Sequence, residues 1–170
     1  MYGVQAVSAA VLATVAFAMD LRRQKIANIW ILSGWIWGCS VQILFYGQAG
    51  AVQFFSGSGT PVLWLFFLFY FRMLGPGDIK LLSVLGGLLG YRAVIYLIVL
   101  SFFFGGILSL GLLIASGTIV FRFRYFVNYF RMYLKDQKRR PYYQTGRQAE
   151  NFHFTLPILL ALFLYVGGVC

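Results

Sequence analysis

Charge is scarce in this chain. Of its 170 residues 11% are charged and 61% are hydrophobic, and the mean hydropathy is +0.80. A water-soluble domain carries about 25% charged residues, so no stretch reads as a second, soluble domain. Short alternating segments are lacking too, which argues against a membrane barrel. The apolar runs are long and continuous, and the bilayer core admits only helices or closed barrels. Histidine occurs once, at His153, which excludes a multi-histidine metal site and leaves a Ser-His-Asp constellation little to build on. The two cysteines, Cys39 and Cys170, lie far apart with no CxxC. Neither a zinc site nor a disulfide framework is supported, and Cys39 reads as a small core residue. Acid is scarcest of all: Asp20 and Asp78 are the only acidic residues before position 135.

What is present is a set of charge-free runs, residues 1–19, 29–71, 93–121 and 151–170. A spanning helix needs roughly 20 apolar residues. The expectation is an all-α, polytopic bundle of six transmembrane helices over about 2–19, 29–47, 60–74, 78–90, 93–120 and 152–169. Residues 1–170 then form a single integral membrane domain, with a turn over Gly47–Thr60 and a cytoplasmic basic loop over 122–150. The spans flanking Gly75-Pro76-Gly77 are short, and such spans line interiors more often than they face lipid. The first run lacks a basic n-region and is expected to be retained rather than cleaved as a signal peptide.

Lysine and arginine set the orientation. With six spans and the N-terminus outside, every basic residue but Arg92 falls on the cytoplasmic side. Trp30, Trp35, Trp37 and Trp64 suit interfacial belts. Asp20 ends the first span and Asp78 begins the fourth, so both carboxylates are expected at the same membrane face. An ionisable carboxylate at the edge of hydrocarbon is costly and therefore a functional-site hypothesis. If the two meet in a poorly solvated place, one proton is shared. Such a pair can do general acid and base work on a water molecule attacking a peptide bond.

Gly75-Pro76-Gly77 precedes the second carboxylate. Pro76 removes a backbone donor, and the glycines permit unusual backbone angles and close approach. The expected result is a helix break with an open backbone edge where an extended peptide could pair. Plainer readings exist for each residue. Asp78 could cap a helix starting at Ile79, and Asp20 could pair with Arg22 or Arg23. Lys80 could orient substrate carbonyls, but snorkelling to the interface suits it better. Asn28 could shape the site, yet it also suits the N-cap of the second span. His153 reads as an interfacial side chain, and Pro157 as a kink or helix start.

These residues carry a family resemblance. Gly75-Pro76-Gly77-Asp78-Ile79-Lys80 resembles the GxGDxK signature of type IV prepilin peptidases, a bacterial branch of the GxGD intramembrane aspartic proteases. Asp20, with Arg22, Arg23, Lys25, Ile26 and Asn28, is similar to that family's first-aspartate segment, although Ala27 stands where the family usually has proline. His153-Phe154-Thr155-Leu156-Pro157 is similar to a looser motif of the last span. The resemblance implies Asp20 and Asp78 as catalytic residues, with Gly75, Gly77, Lys80 and Asn28 in support. It implies removal of a basic leader from type IV or Flp-type prepilins and pseudopilins at the cytoplasmic face of a bacterial inner membrane. It implies no metal and no cofactor. No N-methyltransferase activity is expected either, because the larger members' extra cytoplasmic domain is missing.

The loop over 122–150 alternates arginine and lysine with phenylalanine and tyrosine, and its start suits a basic interfacial helix on anionic headgroups. Nucleic acid is not an expected partner, and the oligomeric state is not legible. The competing functional reading is a small proton- or cation-coupled transporter, or a pilus assembly scaffold.

Overall fold

A computed structural model describes residues 2–23, 25–70, 74–115 and 153–168. It is all-α, with α1 (Tyr2–Arg23), α2 (Asn28–Tyr70), α3 (Pro76–Leu89), α4 (Tyr91–Ala115) and α5 (Thr155–Val166). By length and composition α1, α2 and α4 can cross a membrane. The chain divides into two compact units, Met1–Gly105 with His153–Cys170, and Gly106–Phe152. Of the second unit only the end of α4 is described; the packed helices and the site belong to the first. The basic loop expected over 122–150 lies outside the described residues.

The 43 residues of α2 would run about 65 Å as one straight helix, twice the roughly 30 Å of hydrocarbon. The chain instead reverses at Gly47, whose φ of 58° and ψ of −135° favour glycine. Trp35 then meets Phe54 edge-on at 5.7 Å between ring centroids. Gly50 lies so close to the Gln42 carbonyl that no Cβ could fit. This corrects the expected turn over Gly47–Thr60: the bend is at Gly47, and residues 48–60 are helical.

The reason lies in packing against α3. Gly34 and Gly38 on the first arm of α2 leave room for Val84 and Leu88 of α3, the close approach that small residues four apart allow in membrane helices. On the second arm, a Cβ at Gly57 would collide with the Gly86 carbonyl, and one at Gly86 with the Gly57 carbonyl. Pro61 has no N–H to offer Gly57 four residues back. Ser83 donates its hydroxyl to the Ser58 carbonyl at 2.8 Å. The Gly and Ser residues that read as a turn are contact residues.

α3 is the centre of the unit. Its 14 residues make about 21 Å, too short for an easy crossing. Leu81 to Leu88 are all buried, packed with Ala9, Leu12, Ala13 and Ala16 of α1, Val94 and Leu97 of α4 and Ile158 and Leu162 of α5. Its C-terminal carbonyls lack helical donors, and Gln42, fully buried, supplies one from α2. The Gln42 Nε2 donates to Gly87 O at 3.2 Å and Leu88 O at 2.9 Å. Gly90, at φ 92°, ends the helix. The outer faces are apolar: Leu44 is 82% exposed and Leu63 78%, which fits a surface meeting lipid rather than water.

α1 is tied to α2 by indoles. Trp30 Nε1 donates to Leu12 O at 3.3 Å, and Trp37 Nε1 to Ser8 Oγ at 3.0 Å. These two tryptophans therefore bond to a neighbouring helix.

Candidate active site

Three helix ends build the site. Asp20 lies in the last turn of α1, Asp78 in the first turn of α3, and His153 and Thr155 at the start of α5. α1 packs against both α3 and α5, which is what lets residues so distant in sequence meet.

The local fold around Asp78 follows from Gly75-Pro76-Gly77. Gly75 is the N-cap of α3 and Pro76 the first helical residue, where a missing N–H costs nothing. Asp78 is then the third helical residue, and its carboxyl group accepts from the Gly75 backbone N–H. This is the reciprocal half of a capping box. Two expectations change. The helix does not start at Ile79 with Asp78 as its cap; it starts at Pro76. Gly75, at φ −71° and ψ 145°, is in extended backbone open to any residue. Glycine matters there for space, since a Cβ at Gly75 would lie 3.0 Å from Asp78 Oδ2. The Gly75 N–H is also engaged rather than open to a substrate strand. At Gly77 a Cβ would make ordinary contact with Ile26 Cδ1 at 3.5 Å.

Asp20 is 16% exposed and Asp78 half-buried. The two interact electrostatically, and His153 acts on Asp78 as well. Asp20 Oδ2 accepts the Thr155 hydroxyl at 2.7 Å, and His153 Nδ1 lies 2.9 Å from the same oxygen. Sequence reasoning missed this contact by reading His153 as an interfacial side chain. The available signal was its position: the sole histidine, at the end of an apolar run expected on the aspartates' side of the membrane.

The supporting residues pair with each other. Lys80 Nζ donates to Asn28 Oδ1 at 3.0 Å. Asn28 is not the N-cap of α2; the Ala27 carbonyl takes the first helical bonds, from Trp30 and Ile31. Beside this pair lie two adjoining apolar clefts. One of about 310 Å³ is lined by Asn28, Ile31, Leu32, Trp35, Val62, Ile79, Lys80 and Ser83. The other, of about 340 Å³, is lined by Val62, Phe66, Phe69, Pro76, Ile79 and Lys80. Among the described residues no three His, Cys, Asp or Glu side chains gather as a metal site would require.

Fold and site together define a helical membrane protein with a pair of interacting carboxyl groups at helix ends. The family model of the type IV leader peptidase family matches residues 7–110, well over half of the chain, and the chain belongs to that family. The matched stretch contains Asp20 and Asp78 and ends before α5. No curated protein and no solved structure matches the chain significantly. Family membership makes it a peptidase of the membrane, with prepilins as the implied substrates.

Proposed function

We propose that the chain is an aspartic endopeptidase that removes the basic leader from type IV or Flp-type prepilins and pseudopilins. Asp20 and Asp78 are its catalytic residues. The observation that carries this reading is geometric: α1 and α3 pack together with Asp20 in the last turn of one and Asp78 in the first turn of the other, both partly buried and both in segments that resemble the family's motifs.

The chemistry needs a water molecule and one proton held by the pair. The ionised carboxylate takes a proton from the water as its oxygen attacks the scissile carbonyl carbon. The protonated carboxyl group gives its proton to the carbonyl oxygen, forming a gem-diol. Collapse breaks the C–N bond and returns a proton to the leaving amine. Two carboxyl groups that meet in a poorly solvated place cannot both ionise cheaply, so one proton stays with the pair.

On this reading the two arms of α2 count as two spans, and α1, α3, α4 and α5 bring the total to six. The site faces the cytoplasm of a bacterial inner membrane and the N-terminus lies outside, as the distribution of basic residues supports. Gly75 and Gly77 shape the entry to α3, and the Lys80–Asn28 pair closes one side of the apolar clefts. The test is co-expression with a prepilin: Asp20→Asn and Asp78→Asn should each abolish leader removal while the protein still accumulates folded in the membrane. Normal leader removal by either variant would overturn the assignment.

A further inference from the structure

Asp20 is gripped from one side. Thr155 Oγ1 donates to its Oδ2 at 2.7 Å, and His153 Nδ1 reaches the same atom at 2.9 Å. Thr155 is 1% exposed, and neither residue lies in the stretch matched by the family model. Resting on the peptidase reading above, we propose that Thr155 and His153 are positioning residues. They fix the rotation of the Asp20 carboxylate so that Oδ1 is the oxygen offered to the attacking water.

The argument starts from carboxylate symmetry. The terminal torsion of an aspartate is broad and roughly two-fold, so an untethered Asp20 would exchange its oxygens and sample many angles. Two contacts on one oxygen remove that freedom, because rotation of the group breaks both together. The clamp itself is stiff. Thr155 is β-branched, with few side-chain rotamers, and it begins α5, whose Ile158, Ala161 and Leu162 are buried in the core. His153 precedes the helix by two residues and is 24% exposed. With Asp20 ionised, Oδ2 can only accept, so Nδ1 carries the hydrogen. That contact persists whether or not Nε2 is protonated. The replacement that preserves it is asparagine, whose amide nitrogen occupies the place of Nδ1.

The clamp also accounts for the place of α5 in the site. Thr155, its first residue, and His153 just before it hold one of the two carboxyl groups assigned to the peptide bond. Positional errors of about 1 Å can cost roughly 100-fold in rate, so loosening this carboxylate should lower turnover and leave substrate affinity nearly unchanged.

The experiment is cleavage of a synthetic prepilin leader peptide by the purified full-length protein in detergent, with kcat and KM measured separately. Thr155→Val keeps the shape and loses the hydroxyl; His153→Leu loses the imidazole. Each should lower kcat roughly tenfold or more, with KM within about twofold of the parent. Thr155→Ser and His153→Asn should recover most of the lost kcat. Should Thr155→Val fail to fold, the pair of variants at the less buried His153 decides alone. Thr155→Val and His153→Leu with parental kcat, beside an inactive Asp20→Asn, would overturn the clamp and leave the peptidase reading intact. A fully active Asp20→Asn would overturn that reading itself. Loss of kcat that neither conservative variant recovers would assign these residues to folding only and would likewise overturn the clamp.

Discussion

The contact between Gly57 and Gly86 can be tested in isolation, because Gly59 provides an internal control. A Cβ added at Gly57 would meet the backbone carbonyl of Gly86, which cannot swing aside as a side chain could, whereas a Cβ at Gly59 meets nothing within 4 Å. In Gly57→Ala the second arm of α2 and α3 must therefore separate by about 1 Å, at an overpacking cost of about 1–3 kcal/mol. Close Cα–H contacts to carbonyls, worth about 0.5–1 kcal/mol each, are weakened at the same time. Against this, alanine is about 1 kcal/mol better than glycine inside a helix. The net expectation for Gly57→Ala is a loss of about 1–3 kcal/mol. Gly59→Ala carries only the propensity gain, so the two variants should differ by about 2–4 kcal/mol. Unfolding in mixed SDS and dodecylmaltoside micelles, followed by tryptophan fluorescence, measures the difference. Two variants of equal stability would refute backbone contact between α2 and α3. Activity gives a second reading, because Asp78 lies eight residues before Gly86, about 12 Å along the same helix. A tilt of α3 that accommodates the methyl group also moves the carboxyl group, so Gly57→Ala should cut leader cleavage and Gly59→Ala should not.

Gln42→Leu should destabilise the protein by about 1–3 kcal/mol, because the Gly87 and Leu88 carbonyls lose their donor inside the fold. The loss stays near the lower end, since Gln42 Oε1 has no partner to forfeit; the same micelle assay reads it, and unchanged stability would mean that the carbonyls are satisfied otherwise. Gly75→Ala should leave stability nearly unchanged, as its φ and ψ suit alanine. The new methyl group would crowd Asp78 Oδ2 at 3.0 Å, and leader cleavage should fall roughly tenfold or more. Gly77→Ala makes only ordinary contact with Ile26 and should lose far less; equal losses at both positions would remove the spatial argument for Gly75.

The two aspartates were legible because a carboxylate in an apolar chain stands out without any knowledge of packing. The helices were legible for the same reason, as long charge-free runs. The reversal in α2 was only half legible. Gly50, Gly57, Ser58 and Gly59 lowered the local hydropathy and suggested a turn, but in a membrane bundle small residues also mark where backbones touch. Composition alone does not separate the two meanings. The one residue with a left-handed φ in that stretch, Gly47, is what makes the bend. The role of Gly75 was misplaced for a related reason: a Gly-Pro-Gly sequence suggests unusual angles, and its geometry here is ordinary. The contact of His153 with Asp20 spans 133 positions. It depends on α5 packing beside α1, and hydropathy says where helices end but not which of them are neighbours.

Placing the candidate site at helix ends has a physical consequence for how the molecule tolerates change. The interior is held by small residues and by side chains that serve backbone groups, Gln42 for α3 and Ser83 for α2, and among the described residues it buries no carboxylate fully. The site is held by the end of α1 and the starts of α3 and α5, where helix termini already leave backbone donors and acceptors unpaired. A polar group there costs less than in mid-span, and water can reach it without any span being broken. Asp78 uses this directly, its carboxyl group taking the Gly75 N–H that the helix leaves free. Asp20 uses it indirectly, through side chains that precede or begin α5. Substitutions at Gly57 or Gln42 should therefore act first on stability, and substitutions at Gly75, His153 or Thr155 first on turnover. That separation is what a site built inside the spans, on the same residues that pack them, would not show.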